Sequence, residues 1–102
     1  MKVVINDDWG GFRVSKAVFK ELGLIWDGYG YLKNKDFNIK SDNSLKYRSH
    51  ESLIKAIEKI GLEKSTGKLA SLKIIEIPDY VNYIINNNDG IESIHEVHRI
   101  WS

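Results

Sequence analysis

The sequence predicts an α+β fold: a single small domain over residues 1–102, with a mixed or antiparallel sheet, two helices and a C-terminal hairpin. Three stretches carry that expectation. Residues 49–60 put Leu53, Ile57 and Ile60 on one stripe with Ile54 beside it, which is helical spacing. Residues 71–77 set Leu72 and Ile74 on one face and Ile75 and Ile77 on the other. They stop at Pro78, which has no N–H for a ladder. Residues 86–90, Asn-Asn-Asn-Asp-Gly, form a hairpin-type turn after the alternating Val81, Tyr83 and Ile85.

The remaining elements follow in order. Residues 2–6 read as a strand that is apolar on both faces and therefore interior to a sheet. A helix near 15–22 is marked by Val14, Val18 and Leu22 with Phe19 alongside. Gly23 then stands where a left-handed ending needs glycine, and Leu24 is placed to fold back on Phe19. Trp26-Asp-Gly-Tyr-Gly-Tyr31 is either a hairpin or an aromatic loop over a site, and residues 33–44 are a polar loop. Ser49 is the expected cap of the second helix, with Gly61 and Leu62 repeating the earlier ending. Residues 63–68 read as a polar turn, and a strand is expected near 81–85. The tail from Ile91 fits a helix or a strand, and the preceding turn favours a strand over 91–100.

Composition narrows the function classes. A formal net charge of +1 lacks the basic excess of a nonspecific nucleic-acid binder. The absence of cysteine excludes disulfides, thiolate metal sites and a cysteine nucleophile. No apolar run reaches bilayer length and no signal-peptide core stands at the start, so the expectation is a cytoplasmic protein without membrane association. A core this small suggests that stability leans on a homo-oligomer.

The chain is organised around residues 5–15, Ile-Asn-Asp-Asp-Trp-Gly-Gly-Phe-Arg-Val-Ser. Gly10 and Gly11 allow backbone amides to converge on a ligand, and Ser15 suits a helix cap whose N-terminus favours an anion. The plainer reading is a strand-to-helix turn that needs glycine. Asp7 and Asp8 are more consistent with a turn than with a cation site. At the other end, His95, Glu96, His98 and Arg99 form the densest titratable set. On a strand the histidines point apart, which disfavours metal binding, while Glu96 and His98 share a face and Arg99 suits a phosphate or carboxylate.

Two stretches resemble a family of small bacteriophage proteins. Val4-Ile-Asn6, Gly10-Gly-Phe12 and Ser15 are similar to its opening. Leu72-Lys-Ile-Ile-Glu-Ile-Pro-Asp79, Asp89-Gly90-Ile-Glu92 and His95-Glu-Val-His-Arg-Ile-Trp101 are similar to its ending, with Arg48 and the following helix between them. Ser93 departs from the tryptophan common in that family. The resemblance implies a phage or prophage source, the cytoplasm of an infected host and an accessory role, and it implies no reaction.

In that setting the leading expectation is a protein that binds and sequesters a nucleotide-type signalling molecule, such as one used in antiviral defence. Its expected ligand-binding residues are Trp9, Gly10, Gly11, Phe12, Arg13, Ser15, Arg48, His98, Arg99 and Trp101. Arginines supply phosphate contacts and aromatics supply stacking. No cofactor, metal or catalytic residue is expected. The alternative is a host-protein inhibitor anchored by Trp9, Trp26 and Tyr29. A small phosphodiesterase or nuclease using Glu96 and His98 ranks below both.

Overall fold

A computed structural model describes residues 1–97. Strand β1 (Lys2–Asn6) leads through the glycine loop to helix α1 (Lys16–Glu21), followed by a long irregular segment with 3-10 turns at Asn34–Phe37 and Lys46–Ser49. Helices α2 (Glu51–Ile60) and α3 (Leu62–Ser65) come next, then strands β2 (Leu72–Glu76), β3 (Tyr83–Asn88) and β4 (Ile91–Glu96). The α+β class holds. The strands form two separate antiparallel pairs, β1 with β2 from Lys2↔Glu76 to Asn6↔Leu72, and β3 with β4 from Tyr83↔Glu96 to Asn88↔Ile91.

Helix α2 buries Leu53, Ile54, Ala56 and Ile57 against Val4, Val18, Phe19 and Leu72. Leu53 is fully enclosed, so Leu53→Ala is expected to cost about 2–5 kcal/mol, read as a lower urea midpoint at unchanged slope. Helix α1 ends as expected. Gly23 takes φ +73, its N–H bonds Lys20 O at 3.1 Å, and the Leu24 N–H bonds Phe19 O at 2.9 Å.

Several boundaries differ from the expectation. His50, not Ser49, caps α2, its Nδ1 accepting from the Ser52 N–H at 3.1 Å. The Ser49 hydroxyl turns back to Lys46 O. Gly61 sits at φ 98, ψ 145, which is not the left-handed helical well, so Leu62 does not fold back but starts α3 where a polar turn was expected. The asparagine run belongs to β3, so that strand begins at Tyr83 and the turn is only Asp89-Gly90, both at positive φ (54 and 95). Two such residues fit the primed turn that matches strand twist. The tail is a strand through Glu96, and residues 98–100 of the expected strand lie outside the described residues.

Strand β1 is buried from Val3 to Asn6 although among the described residues only β2 pairs with it. The odd positions Met1 and Asp7 exchange bonds with the β2 side through Ile77 and Ser71. By antiparallel alternation, the even positions turn their N–H and C=O to the other edge. Side chains close that edge: Arg48 Nη1 donates to Val4 O at 3.3 Å, and the Asn6 N–H donates to Glu92 Oε1 at 2.9 Å. The final hairpin therefore reaches β1 through side-chain bonds of Glu92 and Asn6, not through a β1–β4 ladder.

Candidate functional site

Much of the polar and glycine chemistry singled out in the sequence is spent inside the fold. The Arg48 guanidinium meets Glu92 in a two-pronged ion pair, Nη1 to Oε1 at 2.6 Å and Nη2 to Oε2 at 2.8 Å, with both side chains buried. Arg48 Nε donates to the Tyr47 hydroxyl at 3.0 Å, and the guanidinium carbon lies 3.5 Å from the Phe12 ring centroid. Burial pulls the Arg48 pKa down, but the hydrogen bonds and charge of Glu92 and the Tyr47 hydroxyl outweigh it, so the net shift is upward. Burial raises the Tyr47 pKa, and the opposing influence of Arg48 does not reverse it. Asn6 completes the assembly. Its Nδ2 donates to Asp8 O and Gly90 O at 2.6 and 2.7 Å, and its Oδ1 accepts from the Ser71 N–H at 2.8 Å.

The glycine loop is likewise filled by the chain itself. A side chain at Gly10 would overlap Leu69 O, and one at Gly90 would overlap Trp9 O and the Gly11 N–H. The loop thus packs against the 67–69 turn on one side and the hairpin tip on the other. Phe12 is buried beneath Arg48, while Trp9 stays 67% exposed. Helix α1 has six residues, and the Ser15 hydroxyl donates to Lys64 O at 2.7 Å instead of capping it. His98, Arg99 and Trp101 lie outside the described residues.

An open cleft forms on the far side of the same segment. Residues 12–15 run extended, with Phe12 and Val14 buried and Arg13 and Ser15 half-buried facing the other way. Their backbone is held from both sides. The Val14 N–H bonds Gly30 O at 3.0 Å, the Ser15 N–H bonds Ser65 O at 2.8 Å, and the Gly67 N–H bonds Arg13 O at 2.9 Å. Gly30 and Gly67 permit this approach, because a side chain at either would strike Val14 O or Arg13. The aromatic loop and the 66–69 turn thereby become two walls of a cleft of about 710 Å³.

The cleft chemistry is cationic and aromatic. Arg13, Lys16 and Lys68 line it together with Trp26, Tyr29 and Tyr31, and among the described residues no carboxylate does. The Arg13 guanidinium carbon lies 5.2 Å from the Tyr31 ring centroid, and Tyr31 stacks on Tyr29 at 6.0 Å and 26°. Trp26 is anchored edge-on to Phe19 at 5.0 Å. Among the described residues the buried Arg13 Nε has no hydrogen-bond partner and none of the three cations is ion-paired. Leu69, 63% exposed, holds φ +61 at the rim, an unusual conformation for a side-chain-bearing residue.

Asp27 organises the aromatic wall. Its Oδ1 accepts from the Tyr29 and Gly30 N–H groups at 2.8 and 2.7 Å, and its Oδ2 from the Tyr31 N–H at 3.1 Å. Desolvation pushes its pKa up, but the amides of Gly30, Tyr29 and Tyr31 together hold it below the ordinary carboxylate value. A carboxylate depressed in the fold stabilises it fully above its unfolded pKa and loses that effect as pH falls through the folded value. The near-UV signal of the tyrosine pair is therefore expected to persist at neutral pH and to decay in acid below the ordinary carboxylate range.

The residues expected to bind ligand thus divide. Arg13 and Ser15 line the cleft, whereas Gly10, Gly11, Phe12 and Arg48 serve packing between loops and strands. Lys16, Lys68 and Tyr31 were not singled out for the site, although the Phe12-Arg-Val-Ser15 alternation signals which side chains face outward. Among the described residues no group of three or more His, Asp or Glu side chains could hold a metal ion, and no helix is long and apolar enough to cross a membrane. Comparison with protein-family models, curated proteins and solved structures finds no match.

Proposed function

We propose that the domain captures and holds an anionic, ring-bearing small molecule of the nucleotide class in the Arg13 cleft, acting by sequestration rather than turnover. The observation that carries the reading is Arg13 itself. Among the described residues it is a cation without a carboxylate partner, laid over Tyr31, with a buried Nε that no group there satisfies. A phosphate on its free edge would give charge-assisted hydrogen bonds, and Lys16 and Lys68 would add charge. Trp26, Tyr29 and Tyr31 offer faces on which a base can stack. A role against host signalling rests on the motif resemblance to small phage proteins.

The test is a thermal-shift and calorimetric panel of AMP, ADP, a cyclic mononucleotide and a cyclic dinucleotide. At least one is expected to stabilise the protein, by about 2.7 kcal/mol at a hundredfold excess over Kd. Arg13→Ala should weaken that ligand roughly 10- to 100-fold, the scale of about 1.5–3 kcal/mol for a hydrogen bond to a charged group. Tyr31→Ala should cost about 1–3 kcal/mol of stacking. A flat response across the panel would sink the reading. A protein-binding role is favoured by one separate observation, the exposure of Trp9 and Tyr80 at 67% and 90%. Capture of a host protein that Trp9→Ala abolishes would support it.

A further inference from the structure

We propose that Asp27 is the positioning residue of the aromatic wall, and that a ring-bearing anion is gripped only while its carboxylate holds the backbone of residues 29–31. The proposal rests on the cleft being a ligand site, but its structural half stands alone.

Three amides converge on one carboxylate over 2.7–3.1 Å. Among the described residues no strand or helix pairs this stretch, and these bonds together with the Val14 N–H to Gly30 O bond hold its backbone. Gly28 and Gly30 both stand at positive φ, 88 and 100, where an unfolded glycine has most freedom to lose. The loop is tied to the core at its flanks, by Trp26 against Phe19 and by buried Leu32, but its middle gets less help, since Tyr29 and Tyr31 are 65% and 50% exposed. Its order therefore depends on local hydrogen bonds more than on burial, which places it at the weakly protected end of the structure.

The functional consequence runs through Tyr31. Its ring supports the Arg13 guanidinium and stacks on Tyr29, so its backbone position sets both the stacking face and the direction of the cationic edge. Asp27 also solves an electrostatic problem. It is an acid within a wall that faces an anion, and its oxygens are turned onto the loop's own amides. The charge is thereby spent inside the wall. Asp27 touches no ligand in this account and acts through Tyr29 and Tyr31.

The experiment compares wild type, Asp27→Ala and Asp27→Asn in two arms. The first needs no ligand: amide hydrogen exchange at Tyr29, Gly30 and Tyr31. Asp27→Ala is expected to speed exchange there about tenfold, with the α2 amides unchanged, because local opening is separable from global unfolding. Unchanged exchange overturns the proposal. The second arm measures ADP binding by calorimetry. If the wall is formed only about one-tenth of the time in Asp27→Ala, the apparent Kd rises about tenfold. Asp27→Asn keeps the Oδ1 acceptor for Tyr29 and Gly30 but turns an NH2 donor toward the Tyr31 N–H. It is expected to keep Tyr29 and Gly30 protected while Tyr31 exchanges, and ADP binds, nearly as in Asp27→Ala. If Asn and Ala behave alike at Tyr29 and Gly30, Asp27 acts as a charge only and the positioning role is wrong. If wild type fails to bind ADP, the nucleotide reading loses that probe while the exchange arm still decides for or against the wall.

Discussion

Glu92→Ala is expected to destabilise the protein by about 3–5 kcal/mol, the usual consequence of removing one partner from a buried ion pair. The Glu92 carboxylate takes both prongs of the Arg48 guanidinium and the Asn6 N–H. Without it the guanidinium keeps only Val4 O, the Tyr47 hydroxyl and the Phe12 face. Arg48 cannot escape by deprotonating, because a guanidinium is too basic to lose its proton in a protein. The Asn6 amide on the open edge of β1 also loses its acceptor. Urea denaturation should show a large drop in midpoint. The paired replacement Arg48→Met with Glu92→Leu should recover part of the loss, since apolar groups of similar volume leave no charge behind while the Asn6 N–H and Val4 O still lack these partners. If the double variant is as unstable as the single one, the pair holds the hairpin to β1 by geometry that no apolar contact replaces.

That pair also marks where sequence reasoning stops. Local rules found what local physics determines. The Leu53–Ile57 stripe gave α2, the Gly23-Leu24 ending gave the close of α1, and Asp89-Gly90 gave a tight hairpin. Gly61 misled because its sequence context matches that of Gly23, while its backbone takes the extended positive-φ region and opens α3. A histidine cap on α2 was illegible because serine stood one position earlier with the stronger propensity. Arg48 looked like a phosphate ligand because its carboxylate lies 44 residues away, and no spacing rule joins them.

The cleft was half legible for the same reason. Arg13 and Ser15 were in the right stretch, and the glycine-aromatic run after Trp26 was readable as a loop over a site. What could not be read was which side of residues 10–15 the solvent would reach. A glycine needed for close approach looks the same in sequence whether the approaching group is a ligand or the chain's own backbone. Here Leu69 and the hairpin tip occupy the Gly10-Gly11 side, so the open volume falls on the Arg13 side.

Gly90→Ala tests that division of labour and should be nearly as damaging as loss of Glu92. Gly90 holds φ +95, costing a side-chain-bearing residue about 1–2 kcal/mol. Its new methyl would also press into Trp9 O and the Gly11 N–H, which are backbone atoms that cannot rotate away. Forcing them apart adds about 1–3 kcal/mol, the range for overpacking. It would also disturb the Asn6 side-chain bond to Gly90 O. Gly11→Ala is the matched comparison, because Gly11 has φ +84 with nothing within 4 Å of an added carbon. It should show only the conformational cost, so the difference in melting free energy between the two variants isolates the contact between hairpin tip and glycine loop. The same pair locates the ligand. With binding at the Arg13 cleft, Gly11→Ala lowers stability and leaves nucleotide affinity within about twofold, since stability and affinity then report separate sites. A Gly11→Ala protein that melts normally but no longer responds to nucleotide would move the site back to the glycine loop and overturn the assignment to Arg13.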